Sequence, residues 1–264
     1  MGNLDIIEEY KRQQSWRNWD QYFVTIPIKK NDHVIDLGCS VGGVSNLLAS
    51  QVASVTGIDL NSDFINYCKL NQQPNQHFIC SDFTKVNYKS LAPVTGIWSS
   101  FSISYLKKPI EFLESLFHLL QPGGWIALVD VSCFLSGNML PNSKYFNVVR
   151  EFEIDSHKSG VYDFDFGSKM ESLLTLTGFK IIHVDNNFTD AELNFDGAVK
   201  PEVLLNWQAR LERMQGLRNK LPNLYTEICE EIIAGIQSHD PQKRNNVRFV
   251  VAKKLKNTDF CVVN

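Results

Sequence analysis

Asp36, Gly38, Ser40 and Gly42 stand at two-residue intervals between an apolar run, Val34-Ile35-Asp36-Leu37, and a helically spaced set, Val44, Leu47 and Leu48. The run reads as a buried parallel strand ending at a small-residue turn, with a helix directly after it. At the carboxyl end of a strand in an open α/β sheet, such a turn is where nucleotide-like ligands sit. Gly38 and Gly42 are expected to admit backbone close to a ligand where a Cβ would collide. Ser40, in a glycine position of the pattern, is expected to hold an ordinary backbone conformation. Asp59 closes the next strand-like segment about 20 residues on, the distance of an acid that accepts from ribose hydroxyls. Two turn patterns fit: Gly38-x-Ser40-x-x-Gly43 approximates the dinucleotide G-x-G-x-x-G, and Asp36-x-Gly38-x-Ser40-x-Gly42 approximates D-x-G-x-G-x-G with serine for one glycine.

The elements that must position these residues alternate regularly. A helix over 43–51, a strand Ser54 to Asp59, a helix capped by Asn61-Ser62-Asp63 and a strand His77 to Ser81 make a βαβαβ unit, hence a parallel sheet with helices on both faces. A weaker helical piece spans 84–91, and Thr95 to Phe101 forms a fourth strand. Pro109 starts a strongly periodic helix, Gln121-Pro122-Gly123-Gly124 stops it, and Trp125 to Val131 is a fifth strand. Residues 4–23 read as one amphipathic helix ending in an aromatic cluster, Trp16, Trp19, Tyr22 and Phe23, which packs or closes over a ligand. Beyond strand five, aromatics crowd 132–166 with one helix over 141–157. A helix over 167–177 ends at Gly178, and Phe179 to Val184 is a sixth strand. Helices over 201–215 and 223–237 precede a last strand, Val247 to Ala252.

Composition bounds the class. A chain of 264 residues with 44% hydrophobic residues can fill a sizeable core. Its net charge of -3 and pI near 6.1 give no basic footprint for nucleic acid. No apolar run reaches the length of a membrane span, and the N-terminus lacks the pattern of a signal peptide, so the chain is read as cytoplasmic and not membrane-bound. Its six cysteines form no C-x-x-C pair or metal-ligand cluster and read as reduced, packed residues; no metal site is expected.

Four motifs in order, the Asp36 turn, Gly57-Ile58-Asp59, Cys80-Ser81-Asp82-Phe83 and Leu120-Gln121-Pro122-Gly123-Gly124, resemble the class I S-adenosylmethionine-dependent methyltransferases, closely over 30–131 and loosely beyond. The resemblance implies an α/β fold: a doubly wound, seven-stranded, mostly parallel Rossmann-like sheet with its last strand antiparallel, beside strand six. Its organisation would be an N-terminal helical cap (1–30), a core (31–185 and 246–256), an aromatic lid insertion (132–166), a helical insertion (186–245) and a tail (257–264). It implies S-adenosyl-L-methionine as cofactor, held by Asp36, Gly38, Cys39, Ser40, Gly42, Asp59, Leu60, Ser81, Asp82, Phe83 and Ser99. Asp59 would take the ribose, Asp82 the adenine amine and Phe83 the ring. Asp36 would brace the turn or meet the ligand's ammonium through water.

The expected reaction is in-line transfer of a methyl group to a small-molecule oxygen or nitrogen, with alignment supplying much of the rate. No catalytic residue is singled out; Asp130, Tyr105, His157 and His183 are candidate bases. Trp98-Ser99-Ser100-Phe101-Ser102 replaces the N/D-P-P-Y/F signature of adenine and glutamine amide methylation. RNA or protein methylation, a non-catalytic cofactor-binding module and an NAD oxidoreductase stay as alternatives, with a homodimer open.

Overall fold

The structure, a computed structural model, describes residues 3–91, 93–195, 197–238 and 246–256, so Cys261 and the 257–264 tail lie outside the described residues. Seven strands form one sheet: β1 (His33–Leu37), β2 (Ser54–Asp59), β3 (Gln76–Cys80), β4 (Val94–Ser100), β5 (Leu120–Ser132), β6 (Lys180–Phe188) and β7 (Asn246–Lys253). Their order is β3-β2-β1-β4-β5-β7-β6. Strands β3 to β5 across β1 pair in parallel, whereas β7 runs antiparallel between β5 and β6. The expected sheet, with its reversed last strand, is present. Strand β7 reaches its slot after the long 186–245 segment.

Both faces of the sheet are covered, because successive side chains on a strand point to opposite faces. Val34 enters one hydrophobic cluster and Ile35 and Leu37 the other; Trp98 and Ile97 divide in the same way. On β5, Trp125, Ala127 and Val129 face the first cluster and Ile126 and Leu128 the second. Helices α5 (Pro109–Leu119) and α7 (Met170–Leu176) cover the second face through Phe112, Leu113, Leu116, Met170 and Leu174. The first face is covered by α1 (Asn3–Trp16), α2 (Trp19–Phe23), α3 (Gly43–Ala49) and the insertion helices α8 (Pro201–Glu212), α9 (Gln215–Lys220) and α10 (Tyr225–Gln237). Helix α6 (Phe146–Ser159) adds Val149 and Phe152 to the first cluster, and α4 (Ser62–Leu70) packs Ile65 and Cys68 with Cys39 and Phe78 in a smaller third one. The Asn61 side chain caps α4 by accepting from the Asp63 and Phe64 amides.

Several expected elements differ, each for a local reason. The 4–23 helix breaks into α1 and α2 at Arg17 and Asn18, because Arg17 is drawn into an ion pair while Trp19, Tyr22 and Phe23 are buried in the first core face. The 84–91 piece is two short 3-10 turns, Phe83–Lys85 and Tyr88–Leu91, the first capped by the Asp82 side chain. Gln121 to Gly124 does not precede β5 but belongs to it: Leu120 pairs with Val94, the register then shifts before Gly96, and the Gly123 amide donates to the Lys254 carbonyl. The sixth strand runs on to Phe188, and α9 adds a helix that the periodicity did not show.

Candidate active site

The turn after β1 is closed by backbone bonds. The Gly38 and Cys39 amides both donate to the Ile58 carbonyl, at 2.8 and 3.1 Å, and the Gly42 amide donates to the Cys39 carbonyl at 2.9 Å. Gly38 has φ +74°, and a Cβ there would stand 2.0 Å from the Ser102 hydroxyl, so only glycine fits. Gly42 at φ +78° is restricted by protein packing too: its Cβ would meet Cys68 Sγ at 3.0 Å. Ser40 does not have the ordinary conformation expected of it. Its φ is +52°, in the left-handed region where glycine is at ease, and its buried hydroxyl has no hydrogen-bond partner.

The Ser40 amide donates to Asp59 Oδ2 at 2.9 Å and the Asn61 amide to Oδ1 at 2.8 Å. Each Asp59 oxygen thus keeps accepting capacity toward the open side. Burial raises the Asp59 carboxyl above its usual range against these amide bonds. Asp36 lies deeper, 2% exposed, and accepts from Ser45 Oγ at 2.6 Å; burial raises it to about 7. Asp82 accepts from the Thr84 amide and hydroxyl, which hold it below the usual range. Phe83 packs on Phe112, ring centroids 5.3 Å apart.

A cavity of about 1310 Å³ opens beside these groups. Gly38, Ser40, Asp59, Leu60, Asp82 and Phe83 line it. The other residues of the expected cofactor set stand behind that wall. Asp36 supports the turn, Cys39 packs toward Gly57, and Gly42 faces Cys68. The Ser81 hydroxyl donates to the Asp82 carbonyl, and the Ser99 hydroxyl is buried and donates to the Leu37 carbonyl. Ser100, Phe101 and Ser102 reach the cavity where Ser99 does not. Of the candidate bases, only Tyr105 lines it. Asp130 is buried at the end of β5, accepting from its neighbour's amide, and burial lifts it to about 7. His157 pairs with Asp163 at 3.2 Å, and the His183 ring packs on Phe249.

The opposite half of the cavity is aromatic, with Phe134, Phe152, Tyr162 and Phe164 from the 132–166 segment and Trp19 from α2. Tyr22 and Phe23 of the expected aromatic cluster are core residues. Sequence reasoning missed the polar roof. Glu9, Tyr10, Gln13 and Gln14 of α1, with Arg17, line the cavity together with Arg210 and Arg213 from the insertion. Arg17 Nε binds Asp190 Oδ2 at 2.7 Å and its Nη2 binds Glu192 Oε2 at 2.9 Å, while Arg210 Nη2 takes Glu192 Oε1 at 2.6 Å. Arg213 pairs with Glu9 at 2.7 Å. These bonds tie the N-terminal helices to the insertion. The only linear signal was the amphipathic spacing of α1, since partners about 170 or 200 residues apart leave no local pattern.

Among the described residues no group of acids, histidines and cysteines could hold a metal ion, and no helix is long and apolar enough to cross a membrane. Residues 35–128, from β1 to within β5, match the methyltransferase domain family. The chain is 24% identical over 116 residues to the malonyl-[acyl-carrier protein] O-methyltransferase of Enterobacter lignolyticus (strain SCF1), covering 44% of this chain and 45% of that protein. It is 29% identical over 111 residues to the trans-aconitate 2-methyltransferase of Delftia acidovorans (strain DSM 14801 / SPH-1), covering 39% of each. The matches thus span less than half the length of these curated relatives. Its fold superimposes on mycolic acid cyclopropane synthase CmaA1 complexed with SAH and CTAB with a TM-score of 0.61 at 15% identity, covering 89% of this chain and 82% of that one.

Proposed function

We propose that this chain, which carries a methyltransferase domain over residues 35–128, is a class I S-adenosylmethionine-dependent methyltransferase and that its acceptor is a small molecule methylated on oxygen or nitrogen. The observation that carries this reading is one cavity whose lining joins two unlike sets of residues. At about 1310 Å³ it exceeds the roughly 300–1,000 Å³ of a site for one drug-sized ligand. The half beside β1 and β2 offers acids and an open glycine; the other half offers aromatic walls under a polar roof. The trans-aconitate 2-methyltransferase among the relatives points the same way.

The residues of the first half fit the cofactor. In this reading Asp59, its oxygens already oriented by two backbone amides, accepts from the ribose hydroxyls. Gly38 admits the methionyl portion without a Cβ in the way, and the partnerless Ser40 hydroxyl supplies a polar contact there. Asp82 and Phe83 hold the adenine, with Leu60 and Ser81 beside them. Asp36, Cys39, Gly42 and Ser99 act from behind by fixing the turn. When bound, the cofactor supplies a sulfonium methyl group open to in-line attack. The chain holds the acceptor against the aromatic wall, excludes water with the α1 roof and aligns the nucleophile, the chief catalytic means open to such a site.

The test offers labelled S-adenosylmethionine to the full chain with a metabolite panel, bulk tRNA and a protein extract in separate arms. Transfer to a member of the metabolite panel supports the reading. Label entering only RNA or protein overturns it.

A further inference from the structure

Arg210 is a cation of the aromatic half. Its guanidinium centre stands 5.3 Å from the Phe134 ring and 4.9 Å from the Trp207 ring, and Trp207 is fully buried. Glu192 fixes one edge through Nη2 and is itself held by Arg17 and by the Asn206 amide at 2.9 Å. The guanidinium therefore has little freedom to turn. Its Nη1 is buried and donates to no acceptor, although the residue lines the cavity. A buried donor without a partner is a standing cost, relieved when an oxygen arrives. Tyr10, Tyr105, Tyr162 and Arg210 line the same cavity as Asp59.

The lining of that half offers no base suited to neutral pH; Asp130, lifted to about 7, is fully buried and does not line the cavity. No histidine lines the cavity among the described residues. Burial raises all three tyrosines, which stay protonated, and Glu9 is bound by Arg213. A neutral hydroxyl acceptor would need a base, and an ammonium would meet the fixed Arg210 charge and still have to lose a proton. A carboxylate needs neither: it arrives ionised, and its two oxygens match a guanidinium edge. Of the other cations in the lining, Arg17 is taken by Asp190 and Glu192, Arg213 by Glu9 and Lys108 by Glu111, which leaves Lys107 beside Arg210.

We propose that the acceptor is a small organic acid, docked through its carboxylate on the free edge of Arg210 and methylated on a carboxylate oxygen. A lone pair of that oxygen forms the new O–CH3 bond as the S–CH3 bond breaks with its electron pair going to sulfur. A methyl ester and a neutral thioether result, and no proton moves. The assignment rests on the methyl-transfer reading above.

The experiment uses the full chain with S-adenosylmethionine labelled in the methyl group and matched sets of small mono- and dicarboxylic acids, amines and phenols. S-adenosylhomocysteine binding is measured separately by calorimetry. The expected result is label in the acid set, released as methanol by alkali, with a rate flat between about pH 6 and 9 because carboxylates are already ionised there. Arg210→Gln should raise KM for the acid by about 10- to 100-fold, the loss of a charged hydrogen bond, with S-adenosylhomocysteine affinity unchanged. Arg210→Lys keeps a cation facing Glu192 but loses the second N–H edge; it should show a similar rise and guards against a folding defect in the glutamine variant. Label confined to amines or phenols, no label in any set while S-adenosylhomocysteine binds, or an unchanged KM in both folded variants overturns the proposal. Failure of S-adenosylhomocysteine to bind overturns the methyl-transfer reading itself.

Discussion

Asp36→Asn separates the two things a buried acid at the turn can do. In the wild type the carboxyl is 2% exposed, and burial, opposed by the Ser45 hydroxyl and aided by the negative charge of Asp59, lifts it from its ordinary 3.8 to about 7. That interval, at about 1.36 kcal/mol for each tenfold change, amounts to about 4 kcal/mol as an upper bound. The folded state holds this proton more tightly than the unfolded chain. As pH rises from about 4 to about 7, the wild type therefore loses stability that the variant, which never ionises, keeps. Asparagine can still accept the Ser45 hydrogen bond, so the comparison isolates the charge. Asp130, raised by burial in the same way, is present in both proteins and drops out of the difference. Urea denaturation of both unligated proteins across about pH 4 to 8 should show the variant gaining on the wild type by up to about 4 kcal/mol, levelling above pH 7. A difference that is flat across this range, or that shrinks as pH rises, would refute the argument.

Arg17→Met should cost about 3–5 kcal/mol in chemical denaturation, because it takes from Asp190, whose side chain is 0% exposed, its ion-pair partner and leaves Glu192, 1% exposed, with Arg210 as its remaining cation. A loss under about 1 kcal/mol would mean that the pairing of α1 and α2 with the insertion is incidental. Ser40→Gly relieves a left-handed serine and removes a buried hydroxyl without a partner, so the unligated protein should gain about 1 kcal/mol. Calorimetry on the same variant should show weaker S-adenosylhomocysteine binding; unchanged stability and affinity together would remove Ser40 from the account.

The half of the molecule built from short-range patterns was legible in the sequence. Val34 to Leu37, Ser54 to Asp59 and the Asn61 cap follow periodicity and capping rules that act over a few residues, and they put Gly38, Ser40 and Asp59 on one cavity wall. The antiparallel β7 came from a family resemblance, since its pairing with β5 joins residues too far apart for any local signal. Ser40 broke the expectation because backbone conformation there is set by the amide bond to Asp59, which overrides the residue's own preference. The acceptor half was illegible. Tyr10, Tyr162 and Arg210 meet only after three segments fold over the sheet, and in the sequence each is an ordinary residue on an amphipathic or aromatic stretch.

The most direct test of the central claim is calorimetric titration of the wild type and Asp59→Ala with S-adenosylmethionine and S-adenosylhomocysteine. Both ligands should bind the wild type, and loss of the carboxylate that accepts from the ribose should weaken both by about 10- to 100-fold. A folded wild type that binds neither ligand, or an Asp59→Ala variant that binds both as tightly as the wild type, would contradict it.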